Sequence, residues 1–227
     1  SSAGSNEVLD AFWQHAVNAP DQLRQRWAYA LSQTFVISMA DANVNGQPRA
    51  VAAWMDMLAT QGTGRYRTLL ENVSLHPLMG TYLSHLKNRR ADERTGRVPD
   101  ENYAREVMQL FSIGLVDLNR DGSPRLVGGQ PVETYDAADI SGLAKVFTGW
   151  SWACPDWPSD GCFNNGSQNN VSDPERWTKS MLGYPQYHSA DAKSFLGVSI
   201  AAQSLPNPAA SLRVALVVDV GVGRNWE

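Results

Sequence analysis

The sequence has no run of about 18 apolar residues, which is the length that a membrane-spanning helix needs. It also has no excess of positive charge: 19 lysines and arginines stand against 23 aspartates and glutamates, giving a net charge of −4. A nucleic-acid-binding surface needs concentrated positive charge. We therefore expect neither a membrane span nor a nucleic-acid partner. Apolar residues make up 43% of the chain, which excludes a disordered tail.

Cysteine is also scarce. The two cysteines, Cys154 and Cys162, lie in one short loop that contains proline and glycine. Two cysteines cannot form a four-ligand structural zinc site without histidines nearby, and the loop has none. We therefore expect a local disulfide, with two reduced loop cysteines as the alternative. A disulfide would place the protein in the periplasm or outside the cell.

Apolar residues recur at helical spacing through the first 150 residues, as in Leu23, Trp27 and Leu31. This pattern predicts helices near 7–18, 21–39, 48–61, 65–73, 75–86, 99–113 and 135–149, and shorter ones near 190–196 and 207–216. The predicted fold is mostly α, an irregular multi-helix domain with one short β-hairpin and a long aromatic-rich loop. We expect a helical core over 1–150 and a loop-rich segment over 151–227 packed on the same core.

The hairpin is predicted at 115–135, where two short apolar runs flank the turn sequence Asn-Arg-Asp-Gly. The same residues fit the first half of a calcium-binding loop, with oxygen ligands on Asp117, Asn119 and Asp121. The second half does not fit, because Gly128 stands where the bidentate glutamate belongs. A plain turn is the favoured interpretation and calcium the alternative. No other cofactor is expected.

Aromatic residues are concentrated between 150 and 187, among Asn, Asp, Gln and Ser. Flat rings beside short polar side chains suit a sugar, whose C–H face stacks and whose hydroxyls form hydrogen bonds. The alternative is that the rings anchor a long loop to the helical core. The candidate substrate-binding aromatics are Trp150, Trp152, Trp157, Trp177 and Tyr184.

A polar stripe runs along one face of the helix predicted at 99–113. It consists of Asn102, Glu106 and Gln109, whose spacings of four and three place their side chains on the same face. Glycoside hydrolysis needs two carboxylates about 5 to 10 Å apart. Glu106 with Asp136 or Asp139 is the candidate catalytic pair, and Asn102 and Gln109 would bind substrate beside it. The alternatives are structural: Asp136 and Asp139 as helix-capping residues, and Glu106 in an ion pair with an arginine.

A serine esterase is a further alternative. Ser112 and Gly114 form half of a Gly-x-Ser-x-Gly motif, and four histidines could supply a base. However, Ser112 lies near the end of a predicted helix rather than on a strand-to-helix turn.

Several segments resemble a known bacterial family in the same order. They are 20–33 (PDQLRQRWAYALSQ), 66–77 (YRTLLENVSLHP), 99–115 (PDENYAREVMQLFSIGL), 146–150 (VFTGW) and 188–197 (HSADAKSFLG). Together they resemble domain-of-unknown-function family 1800. The resemblance implies a mostly helical, exported bacterial protein, of which this chain would be a central portion. It implies no general activity.

These observations suggest two classes of function. The first is an exported hydrolase that acts on a polysaccharide or related polymer through paired carboxylates. The second is a non-catalytic module that binds a glycan or a partner protein with the same aromatics. If the chain is only part of a helical protein, its exposed apolar faces would favour a homo-oligomer.

Overall fold

The computed structural model describes residues 4–168 and 171–219. Their helices and strands are, in chain order, α1 (Ser5–Asn18), α2 (Gln22–Thr34), α3 (Ala42–Asn45), α4 (Pro48–Gln61), α5 (Tyr66–Leu75), α6 (Pro77–Tyr82), α7 (Asn102–Gln109), β1 (Leu126–Val127), β2 (Gln130–Pro131), α8 (Ala137–Ala144), β3 (Trp150–Ser151), α9 (Asp160–Asn165), β4 (Ser167–Gln168), β5 (Val171–Ser172), β6 (Leu182–Gly183), a 3-10 turn (Pro185–Tyr187), β7 (Lys193–Phe195), β8 (Val198–Ile200) and α10 (Pro208–Asp219). The prediction of a mostly helical protein with a short β-hairpin is confirmed. None of the described helices has the length and apolar character needed to cross a membrane.

The chain forms two compact units, and each unit contains two separate stretches of sequence. Unit 1 consists of residues 1–87 and 151–182, and unit 2 of residues 88–150 and 183–227. The chain therefore passes from one unit to the other three times. The sequence-based division into 1–150 and 151–227 stays a prediction.

Unit 1 is built from the helices α1 to α6 and the disulfide loop. Helix α4 begins with Pro48 in its first turn, where the missing N–H costs no hydrogen bond. It packs against α2 and buries Trp54 and Leu58. The Trp54 ring meets the buried His76 ring edge to face, with centroids 5.1 Å apart. Other buried side chains of this core are Leu69, Leu70, Val73, Leu78 and Met79.

The predicted pairing of Cys154 with Cys162 is confirmed: their sulfur atoms lie at disulfide distance and their Cα atoms are 5.8 Å apart. Helix α9 carries Cys162 and is capped by Ser159, whose hydroxyl accepts a hydrogen bond from the Cys162 amide. The bridge and the helix cap therefore fix the same short loop of unit 1.

Unit 2 has its core between α7 and α8. Both helices bury one apolar face, and the Tyr103 ring meets the Phe147 ring edge to face, with centroids 4.7 Å apart. Between the helices lies the predicted hairpin region, where Leu118 bridges Pro124 and β1 pairs antiparallel with β2. The turn between β1 and β2 is Gly128-Gly129. Both glycines have positive φ, which a two-residue hairpin of this kind requires.

The helix predicted near 190–196 is wrong. The structure has an antiparallel hairpin there, with Phe195 of β7 opposite Val198 of β8. Leu196 and Gly197 form its turn, with φ of 49° and 76°. An aspartate of unit 2 holds this turn, since the Asp139 carboxylate accepts a hydrogen bond from the Leu196 amide at 2.5 Å. This contact between distant residues overrides the local helical pattern.

Helix α8 and β7 approach each other closely at Gly142. A Cβ atom at this position would overlap the main-chain carbonyl of Ser194. Only a residue without a side chain therefore allows the hairpin to lie against the helix.

We expect Gly142→Ala to lower the free energy of unfolding by at least about 2 kcal/mol, because backbone must move to admit the methyl group. Urea unfolding followed by circular dichroism measures the change. Ser141→Ala is the matched control, since Ser141 is the exposed neighbour on the same helix, and it should change stability by less than about 0.5 kcal/mol. A Gly142→Ala protein as stable as this control would contradict the packing described.

Candidate functional site

Two of the predicted catalytic carboxylates, Asp136 and Asp139, lie at the start of α8 and form a capping box. The Asp136 carboxylate accepts from the Asp139 amide at 2.9 Å, and the Asp139 carboxylate accepts from the Asp136 amide at 3.1 Å. The second oxygen of Asp139 accepts from the Leu196 amide. Capping, the structural alternative for this pair, is thus the role that their hydrogen bonds support.

Glu106 is half-buried on α7. Its carboxylate has neither a hydrogen bond nor an ion pair with any described residue. The Tyr135 hydroxyl lies within its electrostatic influence: burial raises the pKa of Tyr135, the charge of Arg105 lowers it, and the charge of Glu106 raises it. The other two residues of the predicted polar stripe lie on the same helix, Asn102 exposed at its start and Gln109 half-buried at its end. A half-buried carboxylate without a paired cation remains available for chemistry.

The predicted aromatic platform is divided between the two units. Trp150 and Tyr184 belong to unit 2 and are buried, and burial raises the pKa of the Tyr184 hydroxyl. Trp152 belongs to unit 1, is buried, and meets Trp177 edge to face at 4.5 Å. These contacts support the alternative in which the rings anchor the loop.

Trp157 differs from the other aromatics because 45% of its side chain is exposed. It lies between the two bridged cysteines of unit 1. Of the five candidates, it offers the most accessible ring surface.

The predicted calcium ligands use their oxygens within the hairpin region. Asp117 forms an ion pair with Arg125 at 2.9 Å, and Asp121 accepts from the Ser123 hydroxyl and amide. The hydroxyl bond is the largest cause of the lowered pKa of Asp121. Asn119 donates to the Ser123 hydroxyl at 3.0 Å. Among residues 4–168 and 171–219, no group of three His, Cys, Asp or Glu side chains could hold a metal ion.

Ser112, the candidate esterase nucleophile, donates from its hydroxyl to the Val107 carbonyl at 2.7 Å. Unit 2 instead brings a different serine to a histidine: Ser211 Oγ lies 3.1 Å from His188 Nε2. His188 Nδ1 donates to the Thr148 carbonyl at 2.7 Å, so Nε2 of the neutral ring accepts from Ser211. Both side chains are buried.

Lys193 is unusual for a charged residue, because only 1% of its surface is exposed. Its ammonium donates to the carbonyls of Ser189 at 2.8 Å and Asp191 at 3.3 Å. It forms no ion pair with any carboxylate in the described part of the chain. Burial lowers the pKa of Lys193, and the nearby charge of Asp191 raises it.

A polar cleft opens beside this lysine. Its volume is about 380 Å³, and its walls are Arg90, Ala91, Asp92 and Arg97 from one segment of unit 2 and Ser189, Ala190 and Asp191 from the other. The two walls are joined by the Arg90 amide, which donates to the Tyr187 carbonyl at 2.9 Å. We call this site the arginine cleft.

The arginine cleft is not predictable from the sequence. Segment 87–97 has mixed charge and no period, which is typical of a solvated loop, and the pattern of 190–196 predicts a helix. Perturbed ionisable groups next to a cleft are typical of functional sites. One family-like segment, 188–197, contains the cleft residues Ser189, Ala190 and Asp191, and this overlap is the sequence signal closest to the site.

The comparison with protein-family models identifies the chain's family. The model described as "Protein of unknown function (DUF1800)" matches residues 1–219 of the 227. The chain belongs to this family, as its sequence segments indicated. No curated protein and no solved structure matches the chain.

The buried histidines make stability dependent on pH. Burial lowers the pKa of His188 to about 4, an effect that the Thr148 carbonyl opposes and Lys193 reinforces, and burial lowers the pKa of His76 to about 4 as well. In the unfolded chain a histidine binds its proton near pH 6.5. Stability is therefore fully present above pH 6.5 and is lost as the pH falls towards 4, by up to about 3 kcal/mol for each histidine.

We expect His188→Gln to remove about half of this pH dependence, because glutamine cannot take up the proton. Urea unfolding at pH 7 and pH 4.5 measures it, with His15→Gln, a change at an exposed histidine of α1, as the control. A His188→Gln protein that loses as much stability between the two pH values as the control does would contradict the burial of His188.

Proposed function

We propose that this is an exported bacterial protein that binds a glycan in the arginine cleft. The observation that carries the proposal is the lining of the cleft: two arginines, two aspartates and a serine face about 380 Å³ of space. Sugar hydroxyls both donate and accept hydrogen bonds. Guanidinium groups can only donate hydrogen bonds and carboxylates can only accept them. This lining can therefore both donate hydrogen bonds to sugar hydroxyls and accept hydrogen bonds from them.

Export is supported by the cysteine pair. Cys154 and Cys162 lie at disulfide distance, and such bonds persist in oxidising compartments such as the periplasm. A periplasmic or secreted location also suits a glycan ligand, because cell-surface and extracellular polymers are found there.

Binding has more support than hydrolysis from the hydrogen bonds of unit 2. The capping box and the β7–β8 turn occupy the carboxylates of Asp136 and Asp139. Three of the five candidate aromatics are buried, and so cannot stack on a sugar. Trp157 is a candidate for a separate contact on unit 1.

Filling the cleft tests the proposal directly. We expect Ala91→Trp to weaken glycan binding at least about tenfold, because the indole would occupy the space between the two walls. Isothermal calorimetry against a panel of neutral and acidic oligosaccharides measures the loss. Ala192→Trp is the matched control, since Ala192 is also exposed but does not line the cleft.

Equal binding by Ala91→Trp and the wild type would show that the glycan binds elsewhere. Loss of binding in both tryptophan variants would show that binding does not depend specifically on the lining of the cleft. Either result would overturn the assignment of the arginine cleft.

A carboxylate hydrolase is the second candidate function. The observation that favours it is the half-buried Glu106 carboxylate, which has no ion pair among the described residues. A carboxylate that no cation neutralises is available to contact a substrate.

If the chain hydrolyses polysaccharide, Glu106→Gln should reduce release of reducing sugar at least about 100-fold while the protein keeps its melting temperature. Glu101→Gln is the control: it removes the exposed ion pair with Arg105 on the same helix and should leave turnover unchanged. Turnover that survives Glu106→Gln excludes Glu106 from the mechanism.

A serine esterase has less support. The Ser112 hydroxyl is engaged with the Val107 carbonyl, and the Ser211–His188 pair lies out of contact with solvent. An ester substrate could not reach the Ser211 hydroxyl without rearrangement. Self-association stays a prediction; Leu9, Trp13 and Val17 on α1 are exposed apolar side chains that a second copy could cover.

A further inference from the structure

The charges around the arginine cleft are unequally paired. The Arg97 guanidinium lies 3.7 Å from the Asp92 carboxylate, and its Nε donates to the Arg90 carbonyl at 3.0 Å. The Arg90 side chain is exposed, and its guanidinium has no hydrogen bond or ion pair with the described residues. One wall therefore consists of a neutralised pair and one arginine whose donors are available to a ligand.

The opposite wall, formed by Ser189, Ala190 and Asp191, has a positive charge buried beneath it. The Lys193 ammonium is buried beneath it and is held by the carbonyls of Ser189 and Asp191, both residues of the cleft lining. A buried charge is costly unless a counter-charge or good hydrogen bonds compensate it. Asp191 supplies a partial counter-charge from the exposed surface, whereas Lys145 adds positive charge nearby.

The balance of these charges favours an anion. Arg90 and Lys193 are two positive charges on facing segments, and Asp191 is the one carboxylate of the lining that is not paired with an arginine. An anionic group between the walls would complete the pairing of Arg90. It would also stabilise the charged form of Lys193, which burial disfavours.

We propose that the glycan bound in the arginine cleft is acidic, and that its anionic group binds Arg90 in the positive potential of Lys193. The inference rests on the proposed function, because it names the substrate class of the same site. The shared chemistry is a carboxylate or sulfate group on a sugar ring. A guanidinium can hold either group with two parallel hydrogen bonds, which are stronger than those between neutral groups.

A matched pair of ligands tests the inference. Oligogalacturonate and the same oligomer after reduction of its carboxyl groups have equal length and differ mainly in charge. We expect the acidic oligomer to bind at least about tenfold more tightly by calorimetry, with a preference that falls as salt is added. A sulfated oligosaccharide of similar length tells a carboxylate preference from a sulfate preference.

Single substitutions test which residues produce the preference for the acidic oligomer. Arg90→Gln should remove most of the preference for the acidic oligomer, and Arg94→Gln should preserve it, because Arg94 is an exposed arginine of the same loop that does not line the cleft. Lys193→Gln removes the buried positive charge, so it should also reduce the preference for the acidic oligomer over the reduced one. If Lys193→Gln does not fold, the Arg90 comparison still decides.

The outcomes separate the two proposals. Equal affinity for the acidic and reduced oligomers would overturn the inference and leave glycan binding intact. A preference that Arg90→Gln retains would place the anion outside the arginine cleft and also overturn it. Failure of every oligosaccharide to bind a cooperatively melting protein would overturn the proposed function itself.

Discussion

The structure of unit 2 depends on the need to satisfy two ionisable side chains away from water. His188 and Lys193 are buried, and most of their hydrogen-bond partners are main-chain carbonyls, those of Thr148, Ser189 and Asp191. Carbonyl groups have fixed positions on the backbone, so these bonds determine the path of the chain as well as the side-chain orientation. The Ser189 amide adds a bond to the Thr148 hydroxyl at 2.8 Å, which joins the end of the α8 region to the cleft wall.

Asp139 illustrates how one carboxylate can satisfy several elements at once. One oxygen completes the cap of α8, and the other holds the turn of the β7–β8 hairpin. The hairpin in turn lies against Gly142 on the same helix. A pair of aspartates that resembles a catalytic pair in sequence is, by its hydrogen bonds, a structural joint between a helix and a hairpin.

The features that the sequence predicts well are those set by local periodicity or by short spacing. The apolar period of α2 and α4 predicts two long helices, and the eight-residue separation of Cys154 and Cys162 predicts their pairing. The β7–β8 hairpin escapes prediction because Leu196 adopts a positive φ, which its own sequence disfavours and a distant aspartate supports. The arginine cleft escapes because its walls are two irregular polar segments, brought together by main-chain bonds that leave no pattern in the residues.

The interleaving of the two units has a consequence for how the chain reaches its native state. Unit 1 cannot be completed until residues 151–182 exist, by which time all of the first segment of unit 2 has been made. To form, each unit must bring together two stretches of chain that are separated by a long segment of the other unit. Closing this loop costs conformational entropy before native contacts compensate for it. Neither unit corresponds to a continuous piece of sequence. We therefore expect the two units to fold interdependently, and not as independent domains that fold one after the other during synthesis.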